Sequence, residues 1–120
     1  MPQFVILRHT LPADSPRPSH FDLMLEHEGQ LLTWALTDLP NSTSQSADEL
    51  PPHRLEYLTY EGPVSNNRGE VHRIVTGKFE WLLHAADEIH LRVSSSQLTG
   101  EIRLSRDQAG SWSIYLLSEV

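Results

Sequence analysis

Histidine is the residue type that most invites a chemical reading. Seven occur in 120 residues: His9, His20, His27, His53, His72, His84 and His90. The triplet His20-Phe21-Asp22 opens a segment, running to His27, in which polar and apolar residues alternate. In a strand, residues i and i+2 project from the same face about 6.5–7 Å apart, so an imidazole and a carboxylate at this spacing converge on one ion lying over the sheet. His9 follows the apolar run Phe4 to Leu7 and precedes the loop that returns to His20. With the Val5, Leu7, His9 face turned to the same side, it adds a third ligand. Two imidazoles and one carboxylate suit a divalent transition ion with positions left over for water and substrate. Donor type and spacing leave Mn²⁺ and Zn²⁺ both open.

A second cluster is His53-Arg54-Leu55-Glu56-Tyr57, stiffened at its approach by Pro51-Pro52. There His53 can donate to a phosphate oxygen, and Tyr57 can donate a hydrogen bond or position water. His27, His72, His84 and His90 stand singly in strand-like segments, where surface or locally bonded roles are expected. Trp34, Trp81 and Trp112 are scattered and read as core or rim residues, because base stacking needs aromatics grouped in a basic groove. The chain has no glycine-rich phosphate loop, dinucleotide fingerprint, His-Glu-x-x-His pair or Gly-x-Ser-x-Gly elbow.

The elements that must position these residues are strands. Within Phe21–His27, Phe21, Leu23 and Leu25 share one face, and His20, Asp22, Met24 and Glu26 share the other. Glu28-Gly29-Gln30 reads as a tight turn into a partner, Leu31–Leu36. Further strands are expected at Glu70–Thr76, Lys78–Leu83, Glu88–Val93, Leu98–Leu104 and Ser111–Leu117, with Gly100 marking a bulge. Thr10–Ser19, with three prolines, is a loop, and Asp38–Pro52 is polar and turn-rich. Ser46 with Glu49 three residues on allows a short helical turn over Ser46–Leu50. Many short strands between frequent turn signals predict a mainly β, small antiparallel barrel or sandwich, in one domain spanning residues 1–120.

Composition narrows the function classes. Sixteen acidic and nine basic residues give a formal charge of −7. That balance is ill suited to sequence-blind grip on long DNA, which depends on many Lys and Arg contacts to phosphate. Eight of the nine basic residues are arginine, a residue suited to forked contact with single phosphates. Cysteine is absent, which excludes disulfides, thiolate metal sites and a cysteine nucleophile. No apolar run approaches the roughly 20 residues of a membrane span, and the N-terminus lacks a secretory pattern. A cytoplasmic protein without membrane contact is expected; the oligomeric state is left open.

These residues resemble the 3′-phosphoesterase domain family of bacterial DNA ligase D. The likeness runs through Phe4-Val5-Ile6-Leu7-Arg8-His9 and His20-Phe21-Asp22-Leu23-Met24-Leu25-Glu26, then Glu28-Gly29 and Thr33-Trp34-Ala35. It continues in His53-Arg54-Leu55-Glu56-Tyr57-Leu58-Thr59-Tyr60-Glu61-Gly62 and in Gln97-Leu98-Thr99-Gly100. It implies a closed or partly closed β-barrel with one or two short helices, and manganese-dependent healing of DNA or RNA-primed 3′ ends. It implies His9, His20 and Asp22 as metal ligands, with His53 and Tyr57 near the scissile phosphate. It also implies nucleic-acid 3′ ends as partners, together with an end-joining ligase or polymerase.

The chain departs from the family pattern where phosphate would be clamped. The family's arginine two residues after the metal aspartate is Met24 here, and a family lysine is replaced by Asp38. Arg17 and Arg54 are the candidates to replace the missing arginine, by nearness in sequence. The expected function is hydrolysis of a phosphoester at a 3′ end. The alternative is a catalytically impaired, metal-bearing barrel that binds a nucleic-acid end or a protein partner.

Overall fold

The computed structural model describes residues 1–118. Nine strands follow in order: β1 (Gln3–Thr10), β2 (His20–His27), β3 (Gln30–Leu36), β4 (Gln45–His53), β5 (Gly62–Pro63), β6 (Glu70–His84), β7 (Glu88–Ser94), β8 (Thr99–Arg106) and β9 (Trp112–Ser118). The one helical element among the described residues is a 3-10 turn, Leu55–Leu58. All pairings are antiparallel, in the order β1-β2-β3-β4-β9-β8-β7-β6, and pairing of β1 with β6 closes eight strands into a barrel. Two-residue β5 lies along the outer edge of β6.

Alternation along each strand divides the apolar residues between two places. One set fills the barrel, including Phe4, Ile6, Leu23, Leu25, Trp34 and Phe79. The opposite faces of β1, β2, β3 and β6 carry a smaller cluster on the outside of the wall: Val5, Leu7, Met24, Leu31 and Val71, against which Tyr57, Leu58 and Val64 pack. The segment between β4 and β6 is therefore a cover laid over one outer patch of the barrel. Burying five further apolar side chains beneath it contributes on the order of 1.5–3 kcal/mol each.

Three local expectations are corrected. Ser46–Leu50 is not helical but lies within β4. Its capping pattern is overridden because Ala47 pairs with both Leu36 of β3 and Trp112 of β9. Pro51 and Pro52 are tolerated at the far end of β4, where pairing with β9 has ended and the register to β3 shifts. Residues 70–84 form one strand running through Gly77, not two. The first half of β6 pairs with β1 and the second with β7, which is how one strand closes the barrel. Gly100 is not a bulge, since the register with β7 is continuous across it and its pairing with Ser118 is in step with the rest of the β8–β9 ladder. A side chain there would strike the Leu117 carbonyl, with Cβ only 2.3 Å away.

Candidate metal centre

The β1–β2 ladder places His9 directly opposite His20, and Leu7 opposite Asp22. Cross-strand partners project from the same face, so both imidazoles and the carboxylate stand together on the outer wall, beside the Leu7–Met24 cluster. His20 and Asp22 are buried and His9 is partly exposed. The rings of His9 and His20 lie 4.9 Å apart at their centroids. His20 Nε2 is 3.1 Å from Asp22 Oδ1, and His9 Nδ1 is 3.5 Å from Asp22 Oδ2. One donor atom from each residue lies within 4.8 Å of the other two. Donors bound at about 2.1 Å to a common ion stand roughly 3.0–3.5 Å apart in tetrahedral or octahedral geometry, so small movements suffice for capture.

Backbone carbonyls orient both rings. His9 Nε2 is 2.7 Å from the Arg68 carbonyl, and His20 Nδ1 is 3.0 Å from the Pro18 carbonyl. A carbonyl only accepts, so these nitrogens carry the hydrogen. In each neutral ring the other nitrogen then presents its lone pair toward Asp22. Such an outer carbonyl partner is the usual support of a metal-ligating histidine. Two lone pairs facing a carboxylate repel unless something positive lies between, either protons on the rings or a cation.

The protonation energetics agree. Burial works to raise the Asp22 pKa, but the approach of His20 and His9 outweighs it and holds the carboxyl at about 2. The same contact with Asp22 raises His9 above its ordinary value, against burial. His20 Nε2 and Asp22 Oδ1 are also buried without an aligned hydrogen-bond partner, despite their 3.1 Å separation. A divalent cation fits this donor set, because it would satisfy both atoms and leave the lone pairs attractive.

The surroundings sort the remaining candidates. A cavity of about 500 Å³ opens over the three groups and is lined by Arg17, Leu50, His53 and Arg68 among others. His53 ends β4 opposite Leu31 and donates from Nδ1 to the Pro51 carbonyl at 2.9 Å, leaving Nε2 available. Tyr57 sits in the 3-10 turn with its ring edge-on to His53, 5.7 Å between centroids. It reaches a small void of about 80 Å³ behind the triad that also touches His9, Asp22 and Met24. Met24 is 1% exposed and packed among apolar side chains, forming floor beneath the site. Arg54 does not join the triad's cavity. It is exposed, pairs with Glu56 at 2.8 Å, and lines a neighbouring groove.

Arg68 carries no mark in the sequence, where it stands in the polar run Ser65-Asn66-Asn67-Arg68-Gly69. Asn66 and Asn67 adopt left-handed conformations, and Gly69 follows with φ +80°. A Cβ on Gly69 would lie 1.9 Å from the Thr10 carbonyl oxygen, so this close approach to the end of β1 requires glycine. It is what brings the Arg68 carbonyl to His9. The signal was the Asn-Asn-x-Gly pattern of left-handed formers, which marks a tight loop but not its neighbour.

The other histidines have no part in this centre. His90 lies 2.8 Å from Glu88, His72 lies 3.6 Å from Glu70, and His27 and His84 pack on Trp81.

Comparison with known proteins bears on the same residues. The family model described as the DNA Ligase D 3′-phosphoesterase domain matches residues 12–107, a span that contains His20, Asp22, His53, Tyr57 and Arg68. His9 precedes that span and is joined to it by the β1–β2 ladder. The multifunctional non-homologous end joining protein LigD of Mycobacterium bovis is 28% identical over 120 residues, covering 91% of this chain. The multifunctional non-homologous end joining DNA repair protein LigD of Mycobacterium tuberculosis aligns with the same identity and coverage. The chain spans only 15% of the length of these relatives. A match over most of the chain, on a barrel bearing this donor set, leads to one conclusion: the chain belongs to the DNA ligase D 3′-phosphoesterase domain family.

Proposed function

We propose that this protein hydrolyses a phosphoester at nucleic-acid 3′ ends, with a divalent cation held by His9, His20 and Asp22. One observation carries the reading: two carbonyl-tethered imidazoles and a buried carboxylate bring one ligand atom each within 4.8 Å of one another beneath an open cavity, and those of His20 and Asp22 are buried without a hydrogen-bond partner. Manganese is the ion proposed, with zinc also compatible with the donors. When bound, the cation supplies Lewis-acid polarisation of a phosphoryl oxygen and acidifies water.

The chain's own residues do the rest. His53 presents Nε2 to the cavity while the Pro51 carbonyl fixes its Nδ1–H. As imidazolium it donates to a phosphoryl oxygen, or to the sugar oxygen as the P–O bond breaks. Tyr57, held edge-on to His53, limits the swing of that ring. Arg17 brings positive charge to the cavity rim, and Arg54 lies along the groove a nucleotide would follow. DNA ends, or RNA-primed ends, are the substrates proposed, and an end-joining ligase or polymerase is the partner class.

Buried Met24 favours the second reading, a metal-bearing barrel that binds such an end without turning it over, because it removes one phosphate clamp from the reaction centre. The discriminating experiment is manganese-dependent release of phosphate from a 3′-phosphorylated primer, with His20→Ala as the control. Release by the parent protein that is lost in the variant supports hydrolysis. Retention of the 3′-phosphorylated primer without release supports the binding reading.

A further inference from the structure

We infer that Arg68 and Arg17 form the phosphate-positioning pair of this site, taking over from within two loops the task that Met24 cannot perform. The inference rests on the phosphoester reading and adds to it a residue that sequence alone did not mark.

The two arginines come from opposite sides of the opening. Arg17 lies in the β1–β2 loop and Arg68 in the loop before β6. Both line the cavity over His9, His20 and Asp22, and both also line a second groove of about 430 Å³ beside Leu50, Pro51 and Tyr57. The pair therefore stands at the seam between the metal triad and the path a nucleotide would take. Neither arginine has an acidic partner within ion-pair distance among the described residues, although Asp14 lines the same cavity. Of the other six arginines, Arg54, Arg73, Arg92 and Arg103 each pair with a glutamate, while Arg8, which lies over the Phe21 ring, and Arg106 line neither this cavity nor the groove beside it. Arg17 and Arg68 are thus the arginines without an acidic partner that line the triad's cavity.

Arg68 is also held ready. Its Nε–H donates to the Ser65 carbonyl at 2.8 Å, and Nη2 donates to Ser65 Oγ at 3.0 Å. Nη1 and the second hydrogen of Nη2 keep no protein partner among the described residues, so a forked edge is available to phosphate oxygens. Tethering removes part of the rotamer freedom that a free arginine loses on binding. The same residue gives its carbonyl to His9, so the cation and anion sites are built on one loop and keep a fixed offset. The geometry selects a tetrahedral oxyanion carried at the end of a chain that continues into the groove.

Inorganic phosphate, followed by ³¹P line broadening with the metal-free protein, probes the pair independently of activity. The parent protein binds phosphate, and Arg68→Ala and Arg17→Ala each raise the dissociation constant about tenfold or more. Arg68→Lys recovers part of the loss, and Arg92→Ala on β7, outside the cavity and the groove, changes nothing. Arg17→Ala leaves the Arg68–Ser65 tether and the contact of the Arg68 carbonyl with His9 in place, so it stands as the test if Arg68→Ala disturbs its loop. With 3′-phosphorylated primer and manganese, the two variants raise KM more than they lower kcat. Unchanged phosphate binding in both alanine variants, or none by the parent protein, overturns the pair. Arginine-dependent phosphate binding with no primer turnover would instead sink the hydrolase reading and leave the pair standing.

Discussion

Strand β2 carries histidines at both ends, and the two ends behave in opposite ways. At its start, His20 and His9 share a buried carboxylate and are tethered through their outer nitrogens to backbone carbonyls. At its finish, His27 meets His84 edge-on at 4.8 Å, and His84 stacks on Trp81 at 4.1 Å. Glu28 is the nearest acid there, 3.8 Å from His27 and solvent-exposed. The proton preferences diverge accordingly. His9 is raised chiefly by its contact with Asp22. His84 is lowered, first by burial and then by neighbouring His27. Two close imidazoles alone do not compose a donor set for a cation; a buried carboxylate beside carbonyl-tethered rings does.

The comparison breaks most sharply at the shared acid. Asp22→Asn keeps the shape but removes the charge, and should lower the affinity for a divalent cation about a hundredfold or more, roughly 2.7 kcal/mol. Any manganese-dependent phosphate release should fall about a thousandfold. Kinetics and calorimetric titration check the two effects.

Position 24 tests whether the outer cluster can hold charge. Met24→Arg restores the family's residue type, but Val5, Leu7, Leu31 and Val71 surround that site. Urea unfolding should show a loss of about 3 kcal/mol from the buried guanidinium, without the gain in phosphate affinity that a new clamp would bring.

Acidity sharpens the contrast further. Because His9 in the metal-free protein holds its proton more tightly than an ordinary histidine, a cation must displace that proton. Metal affinity should therefore fall as pH drops, beginning above 6.5, and calorimetry across pH 5.5–8 reads the slope. Asp22 has the opposite sign. Its folded pKa of about 2 lies below the ordinary carboxylate value, so its stabilisation is present above about pH 4 and is lost toward pH 2. Asp22→Asn should flatten that acid limb. The smallest effect lies at the other end: His84→Ala removes one stacked ring, costs about 1 kcal/mol or less, and leaves metal binding unchanged.

Much of this arrangement is legible in the amino-acid sequence. Alternation in Phe21–His27 fixed which side chains share a face, and the short His-x-Asp spacing needs only that alternation. The β4 strand was hidden because its sequence, Gln45–His53, buries little besides Ala47. Its serine, acidic and proline residues are exposed, so local capping and turn signals outweigh a strand identity set by distant partners. Gly77 looked like a boundary because glycine usually ends a strand; here β6 needs it, since a Cβ would lie 2.4 Å from the Ser94 carbonyl oxygen. Arg68 was invisible for the same reason as β4, as its place beside His9 depends on a contact 59 residues apart in sequence.

Titration of the metal-free protein with Mn²⁺, followed by the loss of the free-ion electron paramagnetic resonance signal, tests the central claim most directly. The parent protein and a His27→Ala/His84→Ala double variant should each bind one ion with the same affinity, while Asp22→Asn and His20→Ala lose it. Equal binding by Asp22→Asn and the parent protein, or binding that disappears with His27 and His84, would contradict the account.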